Sequence, residues 1–287
     1  MVRAVIWAVV ALTGLTVNLP TAVGQERPYF VTYSHALEEP GNVELAVKSI
    51  GGAPAGSGAF GSETLELEYG ATGWWTSELY LSGQRTASDR TVFTGYRLEN
   101  RIRPLLREHW VNPVLYVEFE DINGADKSLL EVVGHDGVTD LAGASVENRL
   151  EKKREVELKL LLSRNWRGWN FAQNTIFEKN LNNSPWEFGY AMGVSRALRL
   201  RSTGTGCGWC AERFVSGLEM YGGLGDRYTS GLHDTSHYVS PTLAWESRRG
   251  TTVSVGPAFG LNENSAGVLA RMKVSVELPQ VFRRGER

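Results

Sequence analysis

Along most of the chain, apolar and polar residues alternate with a period of two, which is the pattern of β-strands with one apolar face. The last such run, 268–278, has an apolar side chain at nearly every second position, with Arg271, Lys273 and Glu277 between them. A strand of this length can cross a bilayer at a tilt. Runs of the same kind predict strands at 43–50, 62–69, 75–83, 91–102, 114–121, 154–163, 169–178, 186–195, 213–222, 237–246, 251–261 and 268–278.

The links between these runs alternate between short and long, as the periplasmic turns and outer loops of a membrane barrel do. The turns near Gly70, Asn165 and Arg249 are predicted on one side. The links 103–112 and 198–211 fall on the same side, and they depart from the rule because they are long. A short helical turn is expected at 105–108, within the first of them. The opposite side receives the links 84–90, 122–148, 179–185, 223–236 and 262–266.

These patterns predict an all-β fold, an antiparallel transmembrane β-barrel of about 12 strands. Two interpretations of the link 122–148 stay open: a long outer loop, which could plug or gate the lumen, or a link that contains a short strand at 129–133. A soluble, secreted β-sandwich that binds a ligand remains the alternative, in which the apolar faces would meet another sheet rather than lipid.

Residues 1–24 have the features of a signal peptide: Arg3, an apolar stretch at 5–12 and the small-residue cleavage site Ala22-Val23-Gly24. A retained anchor is disfavoured, because the apolar stretch is much shorter than the ~20 residues of a spanning helix. The predicted organisation is therefore a signal peptide at 1–24, a barrel at 25–282 and a basic tail at 283–287. Export and a barrel together predict the outer membrane of a Gram-negative-type bacterium.

Composition narrows the functional classes. A formal net charge of −2 and a pI near 6.3 give no electrostatic basis for nucleic-acid binding. The aromatic residues indicate interface girdles, because many tryptophans fall at predicted strand ends or turns. The girdle candidates are Trp74, Trp75, Trp110, Trp166, Trp169, Trp186 and Trp245.

The polar faces of the strands would line the lumen of a barrel, and acidic residues dominate them. Two interpretations stay open: a narrow, wet pore that favours cations or polar solutes, or charges that pair across the lumen so that little passes. The candidate lumen-lining residues are Glu66, Glu68, Glu78, Arg97, Glu99, Arg101, Glu118, Glu120, Glu155, Glu157, Lys159, Glu219, Arg271, Lys273 and Glu277.

Other chemistry-bearing residues give weaker signals. Cys207 and Cys210 are predicted to form a small disulfide, because no His follows the pair and no second such motif exists. Ser236 and His237 are adjacent in sequence and point to opposite faces of a strand, so they do not form a nucleophile–base pair. No enzymatic activity, cofactor or metal site is predicted. His233 with Asp234 and His237 is interpreted as a solvated loop rather than a metal site.

Several segments resemble one family of outer-membrane barrels. They are LEYGATGWWTSELYL at 67–81, PVLYVEFED at 113–121, ELKLLLS at 157–163 and YVSPTL at 238–243. The chain is similar here to the family labelled putative MetA-pathway of phenol degradation. This resemblance implies an outer-membrane channel or transporter that admits small hydrophobic or aromatic compounds. It brings no catalytic residues.

The predicted function is thus a channel or transporter-like barrel for small solutes, with a non-conducting structural barrel as the alternative. The expected partners are outer-membrane lipid and the barrel assembly machinery, with no nucleic acid. Such barrels often end on an aromatic residue that the assembly machinery recognises, whereas here Phe282 precedes a charged pentapeptide.

Overall fold

A computed structural model of the chain describes residues 28–54, 58–86, 91–128, 132–142, 148–182, 184–198, 213–247 and 250–282. Nearly all regular structure in these ranges is β-strand, because the alternating runs cannot form an apolar stripe on a helix. The elements are β1 (Val43–Gly52), β2 (Phe60–Thr72), β3 (Trp75–Thr86), β4 (Val92–Ile102), β5 (Asn112–Asn123), α1 (Val138–Ala142), β6 (Lys152–Trp166), β7 (Trp169–Asn180), β8 (Trp186–Ala197), β9 (Phe214–Asp226), β10 (His237–Glu246), β11 (Thr251–Val255), β12 (Ala258–Gly260) and β13 (Val268–Leu278).

Each strand pairs antiparallel with its sequence neighbours, and β13 pairs with β1 from Val43↔Leu278 to Gly52↔Leu269, which closes the sheet into a barrel. The segments β11 and β12 both lie between β10 and β13, so they are two parts of one strand interrupted at Gly256 and Pro257. The structure therefore confirms the predicted all-β antiparallel barrel of 12 strands.

The barrel has an apolar exterior and a polar interior, the reverse of a soluble barrel. On β2, for example, Leu65 and Leu67 point outward and are 47% and 41% exposed, while Glu66 between them is buried. This is the arrangement of a transmembrane barrel, whose outer face contacts lipid. In the part of the chain that the structure describes, no helix is long and apolar enough to span a membrane.

One predicted strand face is wrong. Regular alternation along the predicted strand 91–102 places Thr94 on the same face as Tyr96, but Thr94 is buried, and its hydroxyl donates to Asp126 at 2.5 Å. The register of β3 and β4 shifts here, because Ser82 pairs with Gly95 and Gly83 pairs with Phe93. Gly95 has a φ of 150°, so this bulge inserts one residue and turns Thr94 into the lumen.

The links divide between the two ends of the barrel as the sequence predicted. We call the end where β1 begins and β13 finishes the terminal end; it carries the turns at 73–74 and 167–168 and the link between β10 and β11. The opposite end, called the loop end, carries the long link between β5 and β6. The link 103–111 at the terminal end contains bends and no helix, so the expected helical turn at 105–108 is wrong.

Two stretches outside the strands fill much of the lumen. Residues 28–42, called the luminal segment, run inside the barrel before β1 begins, and Tyr29, Val31, Thr32 and His35 are buried there. From the loop end, the described residues 124–128 and 132–142 of the link between β5 and β6 also fold inward. Val31 of the first stretch and Val132 and Leu141 of the second belong to one apolar cluster with residues of the barrel wall.

Candidate functional site

The luminal segment is held by a carboxylate in the middle of β9. Glu219 is fully buried and accepts main-chain hydrogen bonds from Phe30 at 2.6 Å, from Val31 at 2.9 Å and from Thr32 at 3.1 Å. An ionised acceptor that binds several N–H groups forms hydrogen bonds stronger than neutral ones. The guanidinium of Arg271, 3.9 Å from Glu219, also lies 4.7 Å from the centre of the Phe30 ring. One buried carboxylate therefore fixes three consecutive residues of the segment.

Further along the segment, Tyr33 is bound from two sides. The side-chain amide of Asn174 accepts from the main-chain N–H of Tyr33 at 2.7 Å and donates to its carbonyl at 2.9 Å, as a neighbouring strand would. The Tyr33 hydroxyl reaches across the lumen to Glu99, 3.1 Å away, and to the hydroxyl of Tyr80, 3.2 Å away. The segment thus links β7 to β3 and β4 on the opposite wall.

His35 connects the segment to β6 and to the terminal end. Its main-chain N–H donates to the Ser163 hydroxyl at 2.8 Å, and that hydroxyl lies 2.5 Å from the ring Nδ1. The Glu108 carboxylate, 3.0 Å from the ring Nε2, can only accept, so the ring proton lies on Nε2 and Nδ1 accepts from the Ser163 hydroxyl. The Ser–His–Glu order resembles a catalytic triad, but Ser163 is only 4% exposed and its hydroxyl is already occupied. We interpret these contacts as structural: they fix the luminal segment to β6 and to the link 103–111.

The segment leaves the lumen over the rim at Gly70. The Gly41 N–H donates to the Gly70 carbonyl at 2.7 Å, and the Gly70 N–H donates to the Asn42 carbonyl at 3.1 Å. A Cβ on Gly70 would lie 2.1 Å from the carbonyl oxygen of Glu39, so only glycine lets the chain pass so closely.

From the loop end, Asp126 ties the inward link to β4. Its carboxylate contacts Arg97 at 2.7 Å and accepts from the hydroxyls of Thr94 at 2.5 Å and Ser128 at 2.7 Å. Burial by itself would raise the pKa of Asp126, but the charge of Arg97 and these hydrogen bonds outweigh it and lower the pKa below its usual value. The carboxylate is therefore ionised and holds the link against the wall.

The inward charges form ion pairs around the barrel interior. Buried charges of this kind are tolerated only when they are paired and hydrogen-bonded. The pairs are Arg97 with Glu120 (2.6 Å) and Asp126; Arg101 with Glu68 (2.6 Å), Glu99 (2.9 Å) and Glu78; Lys159 with Glu157 (2.7 Å); Lys273 with Glu44 (2.8 Å) and Glu66 (3.3 Å); and Lys48 with Glu66.

A cavity of about 340 Å³ remains between the luminal segment and the wall near the terminal end. Its lining combines five aromatic or apolar side chains of the segment, among them Phe30 and Tyr33, with seven carboxyl groups and three cationic groups. Burial, together with the neighbouring carboxylates of Glu68, Glu277 and Glu44, raises the pKa of Glu38 to about 8. The charged members are Glu38, Glu39, Glu44, Glu66, Glu68, Glu78, Glu277, Lys48, Arg101 and Lys273.

The structure brings the sequence-predicted polar residues together on the inner face of the barrel. Thirteen of the fifteen are buried, and Lys273 and Glu277 are half-buried near the terminal end. Among the described residues, two trios of carboxylates have oxygens within 4.8 Å of one another: Glu44, Glu66 and Glu68, and Glu120, Glu155 and Glu178. The cations paired with Glu66 and Glu120 already offset part of this charge.

The other candidates do not form a site. The Ser236 hydroxyl donates to the Asn264 carbonyl at 2.7 Å, whereas the His237 ring contacts the hydroxyls of Tyr190 at 3.1 Å and Thr235 at 2.8 Å. The two residues therefore have separate partners, as the strand geometry predicted. Cys207 and Cys210 lie outside the described residues, as do the predicted signal peptide, the basic tail and part of the proposed short strand at 129–133.

Six of the seven girdle tryptophans lie at the terminal end, and Trp186 lies at the loop end, where β8 begins. Trp74, Trp75, Trp166 and Trp169 are exposed at strand ends, and Trp110 in the link 103–111 is 74% exposed. The predicted girdle is thus concentrated at one rim.

Sequence reasoning missed the luminal segment and the residues that bind it. The signal available was the aromatic-rich run from Tyr29 to Tyr33, which is too apolar for a solvated leader. It also missed Glu44 and Lys48, although their spacing on β1 places both on the inner face.

No family model and no curated protein matches the chain. Solved structures with a similar shape include the KdgM porin in complex with disordered oligogalacturonate, at 7% identity and a TM-score of 0.46, covering 82% of this chain and 97% of the porin. The translocator domain of autotransporter NalP from Neisseria meningitidis gives 11% identity and a TM-score of 0.43, covering 82% of this chain and 87% of that domain.

LpxR from Salmonella typhimurium gives 12% identity and a TM-score of 0.39, covering 81% of this chain and 99% of LpxR. None of these three likenesses reaches a TM-score of 0.5, so no activity or ligand is carried over from them. The assignment of the fold rests on the strand pairing and the apolar exterior.

Proposed function

We propose that the chain is an outer-membrane channel for small solutes, and that the luminal segment closes it at rest. The observation that carries this proposal is the luminal segment itself: a stretch of chain that belongs to no strand crosses a polar lumen. Side chains of the wall bind it, Glu219 and Asn174 foremost. A segment held by hydrogen bonds to polar groups can exchange them for bonds to water when it withdraws. Export through a cleaved signal peptide and insertion by the assembly machinery are part of the same proposal.

The charge of the cavity supports cations as the favoured solutes. Seven carboxyl groups face three cationic groups there. With Glu38 protonated at neutral pH, the other six still outnumber the cationic groups, and an excess of acidic groups attracts cations into a narrow passage. While the segment is docked, the aromatic side chains of Phe30 and Tyr33 give the cavity an apolar surface that suits a solute with an aromatic body. The aromatic cargo implied by the resemblance to the phenol-degradation barrels would enter by this route.

Single-channel recording in a planar bilayer tests the proposal. We would compare the mature chain, a variant lacking residues 28–37, and a variant that also has the link 125–146 replaced by a short turn. The expected conductance is small for the first, larger for the second and largest for the third, with cation-selective reversal potentials. Heat-modifiable gel migration, typical of folded barrels, verifies that each variant is folded.

The paired charges favour a second candidate, a non-conducting structural barrel. If the doubly trimmed variant folds and inserts but passes no current, the channel proposal is wrong and the structural role takes its place. Anion selectivity in an open variant would reject the cationic solute class while leaving the channel intact.

A further inference from the structure

Three arginines lie on the outer surface at the terminal end, where the apolar belt of the barrel finishes. Arg164 belongs to β6, Arg167 to the turn before β7, and Arg196 to β8. Trp169 pairs directly with both Trp166 and Arg196 in the sheet, so these side chains occupy neighbouring positions. We define the arginine–tryptophan patch as Trp110, Arg164, Trp166, Arg167, Trp169 and Arg196.

Each arginine of the patch lies on a tryptophan. The guanidinium carbon of Arg164 is 5.0 Å from the Trp110 ring centre, that of Arg167 is 5.0 Å from Trp166, and that of Arg196 is 5.2 Å from Trp169. A guanidinium in contact with a ring face keeps its N–H edge available, and that edge matches two oxygens of a phosphate. Stacking on the tryptophans therefore orders the arginine side chains and leaves their N–H groups free to donate to another acceptor.

Ion pairing distinguishes the arginines of this patch from the paired arginines inside the barrel and from Arg154. Within the ranges that the structure describes, none of its arginines has a carboxylate partner, whereas Arg154 at the loop end pairs with Asp121 at 3.2 Å. Glu108 lies in the same link as Trp110, but its carboxylate already contacts His35 at 3.0 Å and Asn165 at 3.3 Å. Three positive charges thus face outward without internal compensation.

We propose that the arginine–tryptophan patch binds the phosphate headgroup of an anionic phospholipid in the leaflet at the terminal end. Tryptophans at the edge of an apolar belt lie at the depth of the headgroups, so the arginines beside them meet phosphates rather than acyl chains. The three arginines supply the charge and the N–H donors, and the exposed faces of Trp110 and Trp166 cover the glycerol and the first methylenes. This inference rests on the membrane placement in the proposed function, but not on conduction.

Native mass spectrometry of the mature chain in detergent, titrated with phosphatidylglycerol or phosphatidylcholine, tests the proposal. The test variant is R164Q/R167Q/R196Q. The matched control, R85Q/K152Q/R227Q, removes the same charge at the loop end, where Arg227 lies 4.6 Å from the Tyr228 ring in a comparable contact. Cations near an anionic membrane surface each contribute about fivefold to affinity, so we expect an approximately hundredfold loss for the triple variant and little change for the control.

Preferential retention of phosphatidylglycerol by the wild type and the control, and its loss from the triple variant, would support the site. Equal retention by all three proteins, or equal loss from both variants, would overturn it. The single variant Arg167→Gln changes a residue in an exposed turn and serves as the test if the triple variant does not fold. Its affinity for phosphatidylglycerol should fall about fivefold. Unchanged binding by this variant would also count against the site. Flotation of the wild type with lipid vesicles tests the membrane placement separately. A wild type that does not float would reject the membrane placement. A wild type that floats but shows no lipid preference in the titration would reject only the lipid site at the arginine–tryptophan patch.

Discussion

The sharpest test of the luminal segment is the substitution Glu219→Gln, because one side chain binds three of its main-chain N–H groups. A carboxylate has two oxygens, whereas the glutamine amide has one oxygen and an NH₂ group. The amide keeps at most two of the three bonds, and its NH₂ group is left facing an N–H of the segment. The change conserves size, so it alters hydrogen bonding and charge without opening a cavity.

The expected cost follows from these contacts. A buried donor that loses its acceptor costs about 1–3 kcal/mol, and bonds to a charged acceptor contribute about 1.5–3 kcal/mol each. Allowing for partial retention by the amide oxygen, we expect the segment to bind about 3 kcal/mol more weakly. That corresponds to a roughly hundredfold larger undocked fraction. Arg271 stays buried beside a neutral group and adds to this cost.

Hydrogen exchange measured by mass spectrometry on a peptide covering 28–37 checks this prediction. The amides of Phe30, Val31 and Thr32 should exchange about a hundredfold faster in Glu219→Gln, while the strands keep their protection. Glu155→Gln serves as the control, because that carboxyl binds Asn180 at 2.9 Å and makes no contact with the segment. Unchanged protection of residues 30–32 in a folded variant would refute the anchoring role of Glu219.

Three further predictions concern the same closure. Asn174→Ala removes both bonds to the main chain of Tyr33 and should raise exchange there about tenfold, measured on the same peptide. Arg97→Met leaves the Asp126 carboxylate buried without its cation and should lower the free energy of unfolding by about 3–5 kcal/mol in a urea titration of the refolded barrel. Docking of the segment raises the pKa of Glu38 to about 8, so docking is stabilised while this carboxyl is protonated. The contribution to the free energy of docking is complete below the ordinary pKa of 4.5 and is lost as the pH rises to about 8. Channel opening should therefore increase between pH 4.5 and about pH 8 in the wild type and level off above that, but it should not do so in Glu38→Gln.

The strands could be predicted from the sequence because a barrel wall has a strict period of two. A residue such as Glu66 between Leu65 and Leu67 has only one side of the wall compatible with its charge. The exception at Thr94 shows the limit of this rule. A bulge changes the period locally, and its glycine is not distinguishable in sequence from a glycine that only makes space.

The interior could not be predicted in the same way, because it depends on contacts between residues far apart in sequence. Tyr33 and Glu99 meet only because the luminal segment crosses the lumen, and no local pattern encodes that path. The pairing of charges, such as Arg97 with Asp126, likewise requires the fold of the link 124–151. Strand phase determined which residues face inward but not which of them pair.

The composition of the lumen explains how a barrel of this size can contain so many carboxylates with a segment docked inside it. Glu219 has Arg271 only at 3.9 Å, so most of its stabilisation comes from the N–H groups of Phe30, Val31 and Thr32. Without the segment, water would have to fill the lumen and solvate the same carboxylate. Because water and peptide N–H groups can each satisfy this carboxylate, the docked and withdrawn states differ by modest free energies rather than by the full cost of burying a charge. A buried acid that binds the main chain is therefore well suited to a closure that can open, whereas the apolar contacts of Val31 are exposed to water whenever the segment withdraws and so favour the docked state.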